Sequence, residues 1–463
     1  MRITRKYPLL AACVLLAASS FSLPAAAAAN VKIPAKVCDV TAYGADGERQ
    51  QIQLNTEPFQ KAIDDCAAAG GGTVRVPAGN YLVAPLQLRS NVRLQLEKNA
   101  TIVASTVESS YRATPETKSG EAENGWLPFI SVANAENVAI TGEGTIDGQG
   151  AVWWERYRAN VRETPARRAS TDRPRLIYVK NSRNVLIEGV SLVNSPSFHV
   201  VLRYSEDVDV TRTRIATPWH APNTDAIDPI DSRRVRITWN DIDNNDDHVA
   251  IKAEKADPKY PDGVTSDIYI AHNTLRQGRG ISIGSESSGG VNNVLVEHNS
   301  FIGSMYGLRI KSPRGKGGRV SNVIYRDTKM VDVGVPLVFS GYYKGAPNDQ
   351  AELDRALAEG GFVVGDQLYP ADTDPAQPFD AVKTPHFSHI AVSNLVSTGK
   401  SRAAGYIVGV PEAAITDFRF ENVKIEADKG LLIRNASVQG RKFEVRARQG
   451  EAFILQKDAK LQR

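Results

Sequence analysis

Four short polar segments in the middle of the chain carry residue types that could act together on one bond. They are Asn223-Thr224-Asp225-Ala226-Ile227-Asp228, Asn245-Asp246-Asp247-His248-Val249-Ala250-Ile251-Lys252, Gly278-Arg279-Gly280 and Arg309-Ile310-Lys311. Adjacent Asp246 and Asp247 say little alone, because alternation along a strand points neighbours apart unless a turn or bulge intervenes. Asp225 and the Arg309/Lys311 pair change that reading. Like charges held together push one carboxyl pKa upward and leave an acid beside a base. Glycosidic cleavage requires such a pairing. Arginine can grip a substrate carboxylate through two hydrogen bonds, with lysine adding a point charge.

These segments work together only if the fold brings them together, and the surrounding sequence says how. A polar residue followed by an alternating β-branched strand recurs along the chain. It runs from Asn137-Val138-Ala139-Ile140 and Asn184-Val185-Leu186-Ile187 through Asn322-Val323-Ile324, and returns at His389-Ile390-Ala391-Val392 and Asp417-Phe418-Arg419-Phe420. A spacing of mostly about 23 to 33 residues signals a solenoid. Alternation turns one face of each strand inward, and only stacked coils can bury those faces. Scarce helices exclude a βαβ sheet, and scarce hairpin turns argue against a sandwich, leaving an all-β parallel β-helix. The four segments are about one coil apart, so they should line one cleft at a pitch near 4.8 Å.

An open solenoid end needs a cap. Thr56 to Ala69 reads as a capping helix, with Thr56 as N-cap, Pro58 in the first turn and Phe59, Ile63 and Cys66 on one face. Gly70 to Gly72 end it, and Thr73-Val74-Arg75-Val76 begins the first coil. The repeat lapses from Tyr343 to about His386, which reads as an insertion at one side of the stack with a short helix-like stretch at Ala351 to Ala358.

The N-terminus has Arg2, Arg5 and Lys6, then an apolar run from Leu9 to Ala18, then small residues to Ala29, the pattern of a secretory signal. The run is shorter than a bilayer span. Leu10-Ala11-Ala12-Cys13 is similar to a lipoprotein box but comes too early within the apolar run. Export leaves Cys38 and Cys66, for which one disulfide is the expectation and two buried thiols the alternative. The domain plan is therefore a signal peptide at 1–29, an N-terminal segment and cap at 30–72, and a β-helix at 73–463 with the insertion at about 343–386. A formal net charge of +4 is mild and selects no partner by itself.

The ordered segments Asn223 to Asp225, Asp246 to Ile251, Gly278 to Gly280 and Arg309 to Lys311 resemble family 28 of the glycoside hydrolases, the polygalacturonases, above all their secreted bacterial members. Gly142-Glu143-Gly144-Thr145-Ile146-Asp147-Gly148-Gln149-Gly150 and Asn194-Ser195-Pro196-Ser197-Phe198-His199 add to the likeness. The resemblance implies a single-stranded, right-handed pectin lyase-like β-helix and inverting hydrolysis of α-1,4-galacturonosidic bonds. Asp246 is then the general acid, while Asp225 and Asp247 hold and deprotonate the attacking water, with acid and base roughly 6.5–9.5 Å apart. Arg309 and Lys311 are expected on a galacturonate carboxylate, and Tyr343 is expected against substrate, with Tyr342 competing for that register. Arg279 stands where the family has histidine and is expected either to lower a nearby aspartate's pKa or to bind another substrate carboxylate. Ala226 and Asn245 stand where glycine is usual, and His248, which follows the Asp pair, reads as a structural strand histidine. An acidic polysaccharide is the expected partner of a secreted monomer, with no cofactor, metal, nucleic acid or membrane. A non-catalytic pectin-binding β-helix and a lyase-like β-elimination are the alternatives.

Overall fold

The computed structural model describes residues 28–48, 54–114, 122–123, 125–163, 173–343 and 374–463, with isolated positions and two short strands between 354 and 369. The expected signal segment falls almost wholly outside the described residues, as does most of the helix-like stretch at 351–358.

The chain winds into a right-handed parallel β-helix. Each coil gives one strand to a 12-stranded sheet and one or two to a 22-stranded sheet. The registers are continuous. In the smaller sheet Ile177 pairs with Val200, Val200 with Ile227, Ile227 with Val249, Val249 with Ile281 and Ile281 with Leu308. In the larger sheet Val138, Val185, Val208, Val235, Ile268, Val294 and Val323 form an equivalent column. All these side chains are buried, so the core is a set of apolar columns running the length of the stack. Burial at roughly 25 cal/mol per Å² of apolar surface makes this the main stabilising term.

The polar residue that opens each repeat has a conformational role. Asn137, Asn184, Asp207, Asp267, Asn293, Asn322 and Asp417 all take φ between 49° and 57°, a left-handed kink near the start of the strand, where the pairing register skips them. Asn and Asp tolerate that conformation better than other non-glycine residues. A second polar device lies inside. Asn240, Asn273 and Asn299 form a buried ladder in which each side-chain oxygen accepts the backbone N–H of the preceding coil, at Thr213, Asn240 and Asn273, over 2.9–3.0 Å. Their amide nitrogens reach buried carbonyls, as Asn273 does at Ile237.

The capping helix runs Thr56–Ala68 and buries Phe59, Ala62, Ile63 and Cys66 against the first coil. Its N-cap is Asn55, one residue before the expected Thr56. The Thr56 hydroxyl instead accepts from the Ala84 N–H, and the Asn55 side chain accepts from Asp46, so both tie the helix start to neighbouring chain. A disulfide joins Cys38 to Cys66, with Cα atoms 6.1 Å apart, and the strand Val37–Asp39 extends the larger sheet beside Thr73–Arg75. A second helix, Ala151–Glu163, was not anticipated. Trp153 and Trp154 anchor it: Trp153 packs edge-on against Tyr111 and Trp126, and Trp154 donates to the Ser195 carbonyl. After the insertion the ladder resumes in phase, Arg319 pairing with His386 and Ile324 with Ala391.

Asn273→Ala should lower unfolding stability by about 2–4 kcal/mol, since it strands the Asn240 N–H and the Ile237 carbonyl in the core. Urea unfolding of the variant beside the parent measures this, and an unchanged midpoint would show the ladder to be dispensable.

Candidate active site

The outer face of the smaller sheet is the floor of the cleft. Alternation sends Ile227, Val249, Ile251, Ile283, Leu308 and Ile310 into the core. The same period sends Asp228, Lys252, Ser282, Arg309 and Lys311 to the opposite face. Arg309-Ile310-Lys311 shows the logic in three residues: the isoleucine seals the core and the two cations share the outer side.

The aspartates sit in turns at the edge of this floor. Asp225 precedes the strand Ile227–Ile230, and Asp246 and Asp247 occupy the bend before Val249–Ala253. Because both aspartates of the pair lie in a bend, strand alternation does not separate them. The two turns are laced together: the Ala226 N–H donates to the Asp247 carbonyl over 2.9 Å, and Asn244 Nδ2 donates to the Thr224 carbonyl over 2.7 Å. Arg173 secures the first turn from behind through Pro196, Pro222 and Asn223. Neither Ala226 nor Asn245 has a left-handed backbone, so the glycines usual there are not demanded by conformation.

One carboxylate oxygen from each of Asp225, Asp246 and Asp247 lies within 4.8 Å of the others. That is closer than the roughly 6.5–9.5 Å expected between acid and base. Asp246 and Asp247 are neighbours in one bend, and Asp225 precedes the paired strand of the adjacent coil, about one strand spacing away. Such a trio could offer oxygens to a cation, but Lys311, Arg309, Lys252 and Arg279 already supply positive charge around it. No metal is assigned there.

Each carboxylate has its own electrostatic setting. Asp247 accepts from Lys311 Nζ at 2.6 Å, Ser282 Oγ at 2.8 Å and an Arg309 nitrogen at 3.3 Å. Burial pushes its pKa up, but Lys311 and Arg309 outweigh burial and bring it down to about 2. Asp225 goes the other way. Burial, then the negative charges of Asp228 and Asp246, raise it well above the usual carboxylate range, with Lys252 opposing them. Asp228 is fully buried and raised to about 6 by burial, again against Lys252. Asp246 accepts the Asp247 N–H on its own carboxylate and lies 3.8 Å from Arg279 Nε.

Asn223, Asp225, Asp246, Asp247, Lys252, Arg279, Lys311 and Tyr343 line a cleft of about 710 Å³. Tyr343 faces it under Lys311, whereas Tyr342 turns away to Asp374, which separates the two registers. Arg309 is different. Only 1% exposed, it is packed over Tyr306 and bonded to Asp247 and the Arg279 carbonyl, so it is not part of the cleft lining. Its guanidinium is directed to Asp247. His248 is also structural: its Nδ1 accepts the Gly280 N–H, Nε2 faces the Gln277 carbonyl, and burial lowers its pKa to about 4. Gly278 leaves the room this needs, since a Cβ there would come within 2.5 Å of Nε2.

Two residues of this site had no assigned role in the sequence, Asp228 and Lys252. Lys252 Nζ bonds Asp228 Oδ2 and lies 3.6 Å from Asp225 Oδ2. The alternation that pairs Arg309 with Lys311 would have found Lys252, because Ile251 beside it is a core residue. Farther along the cleft Arg175 and Arg203 flank Glu123.

A family model described as "Glycosyl hydrolases family 28" matches residues 66–353. The chain is 37% identical over 302 residues to an endo-polygalacturonase of Pectobacterium parmentieri, covering 62% of this chain and 72% of that protein. A solved polygalacturonase from Erwinia carotovora ssp. carotovora superposes with a TM-score of 0.68 at 30% identity, over 90% of this chain and 99% of that one. A hyperthermoactive exopolygalacturonase from Thermotoga maritima gives a TM-score of 0.69 at 24% identity, over 92% of this chain and 93% of that one, a likeness of fold alone.

The ion pairs on Asp247 make a stability prediction. Its folded pKa lies below its ordinary value of 3.8, so its contribution is complete above about pH 4 and is lost as pH falls toward 2. Arg309→Met should cost about 3 kcal/mol at pH 7 by leaving that carboxylate half-paired. It should also shrink the acid-linked loss between pH 4 and 2. Urea unfolding at several pH values reads both effects, and equal stabilities across that range would rule the pairing out as a contributor.

Proposed function

The chain belongs to glycosyl hydrolase family 28, and from that premise we propose that it hydrolyses the α-1,4-galacturonosidic bonds of polygalacturonate at the cleft built around Asp225, Asp246 and Asp247. The observation that carries this reading is the meeting of three carboxylates with cleft-lining cations on one face of the coil stack. A uronic acid polymer carries one negative charge per sugar, so a groove lined by Lys311, Lys252 and Arg279 offers complementary charge.

Inversion is a general property of the family. In this reading Asp246 protonates the leaving oxygen, and Asp247, held ionised by Lys311 and Arg309, fixes and polarises the water together with Asp225. Proton transfer from a placed carboxyl supplies about 10²–10⁴ of the rate. Lys311 and Tyr343 hold a galacturonate beside the scissile bond, the ammonium reaching its carboxylate and the ring packing against its face. Arg279 takes a neighbouring carboxylate while lying against Asp246. The cleft's open, polar lining suits an extended polymer. The signal-like N-terminus supports a secreted protein acting on pectin outside the cell.

Asp246→Asn should lower turnover on polygalacturonate by at least ~10²-fold with little change in KM, as loss of an acid working only in the transition state requires. Release of reducing ends, followed together with near-ultraviolet absorbance, checks this. Turnover close to the parent's would dismiss Asp246 as the acid. Absorbance rising with product would mean an unsaturated sugar, and hence elimination in place of hydrolysis.

A further inference from the structure

Charge in this cleft is distributed unevenly. Asp247 has two buried cations of its own, Lys311 and Arg309. Asp246 lies beside Arg279. Asp225 is faced by Asp228 from its own segment and by Asp246 and Asp247 from the next coil, with Arg173 behind and Lys252 in front. Lys252 Nζ, 3.6 Å away, is the cation whose contact with the Asp225 carboxylate is direct. A group crowded by three acids tends to keep its proton, and a base that keeps its proton cannot take one from water.

We propose that Lys252, clamped by the buried carboxylate of Asp228, is a positioning residue that holds down the proton affinity of Asp225 against the acids crowding it, so that Asp225 can activate water. This rests on the hydrolytic reading of the same cleft and adds a residue pair to it. Several features hold the ammonium in place. Its strand, Val249–Ala253, is paired through Ile230–Lys252 to the strand carrying Asp228. The Lys252 stem lies along the cleft floor, with the ammonium 4.4 Å from the centre of the Phe198 ring. Asp228 has no exposed surface, so its charge cannot relax into water and stays on the lysine. Glu123 and Glu286 also lie within electrostatic reach of Lys252, and Glu286 is itself neutralised by Lys316.

Opposite effects are expected from the two partners. Lys252→Met removes the cation, so Asp225 should lose its proton only at higher pH. The acidic limb of the kcat/KM profile should then move up by roughly 1–3 pH units, the range for loss of an adjacent opposite charge. Lys252→Arg should keep the limb near its parental position. Asp228→Asn removes a neighbouring negative charge and frees the ammonium to turn fully to Asp225, so the limb should move down. A merely structural role would lower kcat without moving the limb, and a purely substrate-binding role would raise KM alone; either result overturns the proposal. Should Lys252→Met fail to fold, the direction of the Asp228→Asn shift decides. Infrared titration of the protonated-carboxyl band, assigned with Asp225→Asn, reads the same ionisation without turnover. A parent protein that releases no reducing ends, yet shows the Asp225 band moving with Lys252, would refute hydrolysis and leave the pairing standing.

Discussion

Because every strand must give its N–H and C=O groups to the coils before and after it, the in-register parallel ladder dictates where anything else in this molecule can be. Residues at equivalent turns are set one strand spacing apart, whatever their chemistry. That rule stacks Ile177, Val200, Ile227 and Val249 in the core. It also brings Asp225 to the bend that already holds Asp246 and Asp247 side by side.

Placing several acids so close together in a low-dielectric groove is unfavourable unless each is answered. The structure answers them separately. Asp247 is bonded by Ser282, Lys311 and Arg309, whose charges hold its pKa below the ordinary carboxylate value. Asp225 and Asp228 share Lys252. Asp246 is left nearer the cleft edge with Arg279 as a looser neighbour. Asp247 is thereby held low and Asp225 high in proton affinity, a split of the kind that a reaction needing both an acid and a base demands. Arg309 illustrates how indirect such a contribution can be. It never reaches the groove surface, yet without it the charge on Asp247 would be half-compensated.

Much of this was legible from the residues. Period-two alternation with a polar opener gave the coils, and the openers proved to be left-handed kinks at which Asn and Asp are tolerated. The capping helix, its buried face and the Cys38–Cys66 bond followed from spacing and the signal-like start. What escaped had a physical reason in each case. Helix Ala151–Glu163 has a ragged, largely polar pattern and is fixed by two tryptophans packing on distant residues, a tertiary effect. The N-cap moved to Asn55 because Thr56 found a better partner 28 residues away. Alternation predicts the face on which Arg309 lies but not its depth, and the packing over Tyr306 that buries it is a tertiary effect. Lys252 was within reach of the same alternation and was overlooked because it lies in a segment dominated by its aspartates.

The ladder closes over the interruption after Tyr343 as though nothing had been inserted, with Arg319 still opposite His386. The register of the stack is therefore independent of the chain that interrupts it. Such chain can be lengthened, shortened or exchanged while the spacing of the charged groups on the floor stays where the ladder sets it. A scaffold of this kind lets sequence grow between coils without disturbing the columns on either side.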